Sequence, residues 1–168
     1  SDENECYQML KTGFQYNGIC VVRFPRGHGN GTQIDKKLNL LTIGKSKKYR
    51  SGKKVAILAF GPLLHTAHEV AEDLDASLID MRFVKPIDER MIKNCANNHE
   101  LIVTIEDNSI LGGAGSAVLE IISKYNLKCK TLCLGIPDTF VEHGTQAEIY
   151  KLCGLDKNSI VKKIVKQL

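Results

Sequence analysis

Val55-Ala56-Ile57-Leu58-Ala59-Phe60 is a continuous apolar run that ends at Gly61-Pro62. A run of this length between turn residues predicts a strand that is covered on both faces, as in a parallel sheet packed between helices. Gly61-Pro62 ends the strand, and apolar residues then recur at helical spacing from Leu64 to Leu74. The segment therefore predicts the first strand and helix of an α/β domain.

The same alternation of strand and helix continues to the end of the chain. Strands are predicted over residues 77–81, 99–105 and 131–134. Helices are predicted after Pro86 with Asp88 as N-cap, after the Gly112–Ser116 loop, after Gly144-Thr145 and from Asp156 onward. Because strands alternate with helices over short loops, we predict an α/β fold, a three-layer α/β/α arrangement around a mostly parallel sheet of about five strands.

The first thirty residues have a different pattern. An amphipathic helix is predicted there, with Ser1 as its cap and Met9, Leu10, Gly13 and Phe14 on its apolar face. A buried strand is then predicted over residues 20–24, ending in Pro25-Arg26-Gly27. The composition from Pro25 to about Ser51 shifts to Gly, Lys, Asn and Thr, which predicts a linker with a short edge element over residues 38–43.

Composition limits the function classes. With 168 residues, the chain can form one full domain and a piece of another. The net charge of +4 is not interleaved with aromatic residues, so we expect a solvated basic face and no nucleic-acid partner. No apolar run is long enough for a membrane span, and the six cysteines lack metal-ligand spacing, which favours reduced thiols in a cytoplasmic protein. Because the chain opens at Ser1 without methionine, we expect a fragment of a longer protein.

Arg23 and Arg26 flank Pro25 at the end of the predicted strand. Residues three apart on a strand face opposite sides, so the two arginines act together only if the chain bends at the proline. Arg26 is followed by Gly27, which permits close approach, and arginine binds phosphate through a bidentate fork. We therefore predict phosphate binding by Arg26. A structural ion pair is the alternative for both arginines, and for Arg23 in particular.

The other candidate residues have structural alternatives that we favour. The Gly112–Ser116 loop lies between a strand and a helix, as phosphate loops do, but it lacks the GxGxxG and GxxxxGK[ST] spacings, so close helix packing explains it better. Glu106 and Asp107 precede that loop, and we expect structural or interfacial roles for them. His65 and His68 lack a third ligand, and His143 has no supporting motif.

Five segments of the chain, in order and at comparable spacing, resemble the C-terminal part of the 1-deoxy-D-xylulose-5-phosphate synthase family of the transketolase superfamily. They are Ser1-Asp2-Glu3-Asn4-Glu5, Val22-Arg23-Phe24-Pro25-Arg26-Gly27, Asp80-Met81-Arg82-Phe83-Val84-Lys85-Pro86-Ile87-Asp88, Gly112-Gly113-Ala114-Gly115-Ser116, and Gly135-Ile136-Pro137-Asp138 with Gly144-Thr145-Gln146. The segment from Asp80 to Asp88 is the most specific of them.

The resemblance implies a transferase that condenses pyruvate with glyceraldehyde 3-phosphate and releases carbon dioxide, on the route to isoprenoid (terpenoid), thiamine and pyridoxal precursors. It implies thiamine diphosphate and magnesium in the full-length homodimer. The family's GDG motif and its catalytic glutamate and histidines do not occur here, so we expect no cofactor, metal or catalytic residue on this chain. The chain alone is expected to be inactive and to serve dimerisation and phosphate binding together with the rest of the parent polypeptide.

The resemblance also implies a division of the chain. Residues 1–30 resemble the end of the pyrimidine-binding domain, residues 31–52 an interdomain linker, and residues 53–168 the transketolase C-terminal domain. Arg23 and Arg26 fall on the family's RYPRG pattern, in which Phe24 replaces the tyrosine, and both arginines are taken as substrate-binding. Alternatives are the C-terminal region of a 2-oxo-acid dehydrogenase E1 β subunit, and a non-catalytic dimerisation or effector-binding module.

Overall fold

The apolar runs and the capping residues set the bounds of the elements. The computed structural model describes residues 1–37 and 39–168. Its elements in chain order are α1 (Glu3–Gln15), β1 (Lys47–Arg50), β2 (Val55–Phe60), α2 (Leu64–Asp73), β3 (Ser77–Asp80), α3 (Glu89–Asn98), β4 (Leu101–Ser109), α4 (Ala114–Lys124), β5 (Lys130–Ile136), α5 (Gln146–Leu152) and α6 (Lys157–Val165), and a single 3₁₀ turn, Gly61–Leu63, joins β2 to α2.

β2 lies at the centre of a five-stranded sheet with the order β1-β3-β2-β4-β5. It pairs in parallel with β3 and with β4, and β4 pairs in parallel with β5. β1 pairs with β3 in the antiparallel sense. The predicted fold, α/β with a mostly parallel sheet, is confirmed.

Two apolar layers cover the sheet, one on each face. Val55, Ile57 and Ala59 of β2 pack in a cluster with buried residues of α2 and α6. The alternate residues Ala56 and Leu58 pack in a second cluster with α3 and α4. Every residue of β2 is buried, as a strand with helices on both sides requires. The predicted three-layer arrangement is therefore confirmed.

The first helix forms as predicted, but the predicted cap and buried face are wrong. Asp2, and not Ser1, is the N-cap, and its side chain accepts a hydrogen bond from the Glu5 amide at 2.8 Å. Phe14 is 94% exposed, whereas Glu5 and Thr12 are the buried residues of α1. The reason is that α1 docks through polar groups. Thr12 Oγ1, for example, accepts a hydrogen bond from the Leu41 amide at 2.9 Å.

The predicted buried strand over residues 20–24 is wrong. This segment has no strand pairing, and Val21 is 87% exposed. A strand needs a neighbour for its backbone hydrogen bonds, and the described sheet is built entirely from segments that follow residue 46. The helix of the predicted helix-strand unit is present, and its strand is not.

The edge strand of the sheet lies elsewhere in the predicted linker. Of the element predicted over residues 38–43, Leu38 lies outside the described residues, and residues 39–43 form no strand. The edge strand is β1, which the sequence analysis missed. It is fixed by Arg50, whose guanidinium donates to the Ala76 carbonyl at 2.7 Å and to Asp75 Oδ1 at 2.8 Å. Its lysines suit an exposed edge.

Candidate functional site

The carboxyl ends of the parallel strands β2 and β4 lie side by side at one edge of the sheet. Phe60, the last residue of β2, is in register with Glu106 of β4, so Gly61 follows beside Asp107. Ligands of open α/β sheets bind at the carboxyl ends of the strands. Chemically active side chains at this edge are therefore the first candidates for a functional site.

Arg23 reaches this edge from outside the sheet. Its Nη1 lies 2.8 Å from Asp107 Oδ1, and its Nη2 donates to the Asp107 carbonyl oxygen at 3.2 Å. The Arg23 side chain is 52% exposed and that of Asp107 is 6% exposed. The ion-pair alternative for Arg23 thus corresponds to a contact in the structure, although about half of the Arg23 side chain is exposed to solvent.

Gly61 lies directly beside this ion pair. It has a φ of +77°, a backbone conformation that favours glycine. A Cβ atom at this position would lie 3.3 Å from Asp107 Oδ1 and 3.6 Å from Arg23 Nη1. The glycine that ends the first strand therefore also lets the ion pair pack against the end of β2.

Arg26 is exposed, and no hydrogen bond or ion pair within residues 1–37 and 39–168 involves its guanidinium. The next residue, Gly27, faces α5, because a Cβ atom there would lie 3.5 Å from Gln146 Oε1. Gln146 is itself held by a hydrogen bond from its Nε2 to the Tyr150 hydroxyl at 2.9 Å. Burial, with a smaller effect of the Asp107 charge, raises the pKa of Tyr150 to about 12. Arg26 thus lies between Arg23, which contacts Asp107, and Gly27, which faces α5.

Glu106 occupies the anion-binding position of the Gly112–Ser116 loop. Its two carboxylate oxygens accept hydrogen bonds from the Ala114 and Gly115 amides, both at 2.8 Å, and its side chain is buried. A Cβ atom at Gly113 would lie 2.4 Å from Glu106 Oε2. The glycines therefore permit close approach of α4 to the sheet, in agreement with the packing interpretation, and the amides are not available to a phosphate.

The remaining candidates do not form a site. His68 lies 3.7 Å from Glu72 of the same helix, and no group of three metal-ligating side chains occurs in the described part of the chain. All six cysteines are free. No helix among the described residues is both long enough and apolar enough to span a membrane.

A buried polar cluster that the sequence analysis missed joins α1 to the end of β3. Arg82 has a φ of +59°, its amide donates to Asp80 Oδ1 at 3.0 Å, and its Nε donates to Glu5 Oε1 at 2.6 Å. Asp80 is fully buried, and its Oδ2 has no N–H or hydroxyl donor within the described residues. The only signal in the sequence was that Asp80 and Arg82 belong to the most specific of the resembling segments.

The pKa values of Asp80 and Glu5 move in opposite directions in this cluster. Burial first, and then the charge and hydrogen bond of Glu5, raise the pKa of Asp80 to about 7. Burial acts to raise the pKa of Glu5 as well, but the hydrogen bonds from Asp80 and Ser1 and the positive charges of the terminal amine and Arg82 outweigh it and lower that pKa. The cluster therefore favours the protonated form of Asp80 and the ionised form of Glu5.

This pair predicts that the chain loses stability as the pH rises. Unfolded Asp80 ionises near its ordinary pKa of 3.8, whereas folded Asp80 ionises near 7, so its stabilising contribution is complete below pH 4 and is lost as pH rises through about 7. Asp80→Asn keeps a hydrogen-bond donor without a charge. We expect the free energy of unfolding of this variant to exceed that of the wild type at pH 8 by about 1–3 kcal/mol. It should also change less between pH 5 and 8 than that of the wild type.

Urea denaturation of the chain at pH 5, 6.5 and 8 measures the effect, and the exposed Asp138→Asn variant is the matched control. The same pH dependence of stability in the wild type, Asp80→Asn and Asp138→Asn would contradict the raised pKa of Asp80.

Comparison with known proteins shows the family of the chain. Residues 44–160 match the family described as "Transketolase, C-terminal domain". Over 165 residues, the chain is 54% identical to the 1-deoxy-D-xylulose-5-phosphate synthase of Aeromonas hydrophila, covering 98% of this chain and 26% of that protein. It is 51% identical over 168 residues to the synthase of Chromobacterium violaceum, covering 100% of this chain and 27% of that protein. The chain thus spans about a quarter of the length of the curated relatives it matches.

Solved structures show the same fold. A split-gene transketolase, described as an inactive β4 tetramer, superposes with a TM-score of 0.69 at 30% identity over 76% of this chain and 43% of that chain. Transketolase from Campylobacter jejuni superposes with a TM-score of 0.50 at 17% identity over 73% of this chain and 18% of that chain, which is a similarity of fold alone. On the match of residues 44–160, the chain belongs to the transketolase C-terminal domain family.

Proposed function

We propose that this chain is the C-terminal part of a 1-deoxy-D-xylulose-5-phosphate synthase. That enzyme condenses pyruvate with glyceraldehyde 3-phosphate, with loss of carbon dioxide, to supply precursors of isoprenoids, thiamine and pyridoxal. The observation that carries the proposal is the 54% identity to a synthase over 98% of the chain, which extends beyond the C-terminal domain into residues 1–43. A likeness of the C-terminal domain alone would not separate this activity from others in the superfamily.

Arg26 is the proposed phosphate-binding residue of the chain. Its exposed guanidinium has no partner within the described residues and lies in a segment that is docked at the carboxyl-end edge of the sheet. A phosphate group can accept two parallel hydrogen bonds from such a guanidinium, which fixes the aldehyde while its reacting carbon is positioned. Arg23, whose side chain is half-exposed, adds a second positive charge to the same segment, and this charge can attract the phosphate.

The amides that open α4 do not support binding of a cofactor phosphate, because those of Ala114 and Gly115 donate to Glu106. The described side chains also include no cluster of three metal ligands. We propose that the complete enzyme holds both cofactors in parts of the polypeptide outside this chain.

The proposed role of the isolated chain is structural. We propose that residues 1–30 end the pyrimidine-binding domain, that residues 31–52 form the linker whose last part is the edge strand β1, and that residues 53–168 form the C-terminal domain of a cytoplasmic homodimer. The exposed apolar residues Phe14, Ile19 and Val21 support an extensive contact between the first of these segments and other protein surface.

The proposal predicts a strict difference between the isolated chain and the complete enzyme. With pyruvate, glyceraldehyde 3-phosphate, thiamine diphosphate and magnesium, we expect the complete enzyme to form deoxyxylulose phosphate, and the isolated chain to form none, because no catalytic group is proposed here. Chromatographic detection of the product from ¹³C-labelled pyruvate provides the measurement. Product from the isolated chain, or none from the complete enzyme, would contradict the proposal.

A further inference from the structure

The segment that carries Arg26 is held by a contact between residues far apart in the chain. Arg23 and Asp107 are separated by 84 positions, yet two N–H groups of one guanidinium reach the carboxylate and the carbonyl oxygen of one aspartate. A two-point contact of this kind fixes the direction of the arginine as well as its distance. The backbone three residues before Arg26 is therefore tied to the end of β4.

Asp107 is a rigid anchor for that contact. Its neighbour Glu106 is buried and is fixed by the Ala114 and Gly115 amides at the start of α4. The chain is thus fixed directly before Asp107, whose carboxylate lies beside Gly61 at the end of β2. The Asp107 side chain is only 6% exposed, which limits its freedom to adopt other rotamers.

Gly27, on the other side of Arg26, faces α5, because a Cβ atom there would lie 3.5 Å from Gln146 Oε1. The contact that ties the segment to the edge of the sheet is that of Arg23 with Asp107. Arg26 is exposed, and its guanidinium has no partner within the described residues.

We propose that Asp107 is a positioning residue, which holds Arg23 so that Arg26 presents its guanidinium to the phosphate of the aldehyde substrate. This inference rests on the proposed function. Asp107 touches neither substrate nor cofactor in this account. It acts through Arg23, and its contribution is the placement of a cation, which matters only for a substrate that carries a phosphate.

Asp107→Asn in the complete enzyme tests the inference, because the amide keeps the shape of the side chain and removes its charge. We expect the KM for glyceraldehyde 3-phosphate to rise about tenfold, with the KM for pyruvate and the kcat changed less than about twofold. With unphosphorylated glyceraldehyde as acceptor, kcat/KM is expected to match the wild type. Arg23→Ala is expected to show the same profile, and the double variant should add little to either single change, because the two residues act as one unit.

Asp75→Asn is the matched control. Asp75 forms an ion pair of the same length with Arg50 at the far edge of the sheet, and it has a φ of +47° that asparagine tolerates well. This variant should leave all the kinetic constants unchanged.

Equal losses of kcat/KM with the phosphorylated and unphosphorylated aldehydes would show a general structural role for Asp107 and would overturn the inference. Unchanged kinetic constants for both Asp107→Asn and Arg23→Ala would also overturn it. If Asp107→Asn fails to fold, Asp107→Ser decides in its place, because the smaller side chain avoids overpacking and also removes the charged contact with Arg23. Failure of the proposed function is distinguishable, because the wild-type enzyme would then form no deoxyxylulose phosphate. A failure of the positioning role leaves wild-type activity intact.

Discussion

Arg26→Ala in the complete enzyme is expected to raise the KM for glyceraldehyde 3-phosphate by about a hundredfold and to change the KM for pyruvate less than about threefold. A hydrogen bond to a charged group contributes about 1.5–3 kcal/mol, and the loss of a bidentate pair to phosphate therefore costs about 3 kcal/mol of binding. That cost corresponds to somewhat more than a hundredfold in affinity. Pyruvate carries no phosphate, so its binding does not depend on this contact. Steady-state kinetics with each substrate varied in turn provide the measurement.

Two further variants separate the effect of the charge of Arg26 from that of its geometry and provide a control. Arg26→Lys keeps the charge but loses the planar fork, so an intermediate increase in the same KM is expected. Arg90→Ala removes another exposed arginine, on α3, and should have no effect. If Arg26→Ala weakens pyruvate and the aldehyde equally, the residue supports the whole active site and the phosphate assignment is wrong.

Glu106→Ala is expected to lower the free energy of unfolding of the chain by about 3 kcal/mol. The substitution leaves the Ala114 and Gly115 amides buried without their acceptor and removes a negative charge from the start of α4. Each buried donor left without a partner costs about 1–3 kcal/mol, and the charge at the helix start contributes up to about a further 1 kcal/mol. For a chain of this length we expect a fall in Tm of about 10 °C. Urea and thermal denaturation monitored by circular dichroism provide the measurement.

Glu120→Ala is the matched control for this loss, because Glu120 lies on the exposed face of the same helix. This substitution is expected to change the free energy of unfolding by no more than about 0.5 kcal/mol. Glu106→Gln keeps one acceptor oxygen, so its free energy of unfolding should lie between those of the two alanine variants. Equal stability of Glu106→Ala and Glu120→Ala would contradict the capping role of Glu106.

The sequence predicted the parts of the fold that depend on local pattern. The apolar run Val55–Phe60 became the central strand, and Asp88 caps α3 with a hydrogen bond from the Met91 amide, as predicted. The Gly112–Ser116 loop opens α4, and its glycines serve close packing. These features follow from residues close together in the chain, so hydrophobic period and capping chemistry are sufficient to predict them.

The sequence failed where a partner lies far along the chain. The apolar character of residues 20–24 indicated a strand, but strand formation also needs a paired neighbour, which is not a local property. The Glu5–Arg82 and Arg23–Asp107 contacts span 77 and 84 positions, and no periodicity encodes them. The buried face of α1 was mistaken for the same reason, since it is polar and its partners come from the segments after it.

Arg23 and Arg26 belong to one sequence motif but have different contacts in the structure. The motif predicted phosphate binding by Arg26, with a structural ion pair as the alternative for Arg23 in particular, and both remain proposed substrate-binding residues. The structure separates their surroundings, because Arg23 is engaged by Asp107 whereas Arg26 is not engaged within the described chain. A motif can identify the segment that carries a function, but the contacts of each side chain are needed to distinguish the roles of the residues within it.

A crystal structure of the complete enzyme with bound glyceraldehyde 3-phosphate shows whether Arg26 binds the substrate phosphate. We predict that two N–H groups of Arg26 lie about 3 Å from oxygens of the substrate phosphate, with Arg23 still paired to Asp107. A phosphate bound elsewhere, with the Arg26 guanidinium turned toward an internal carboxylate, would contradict the account.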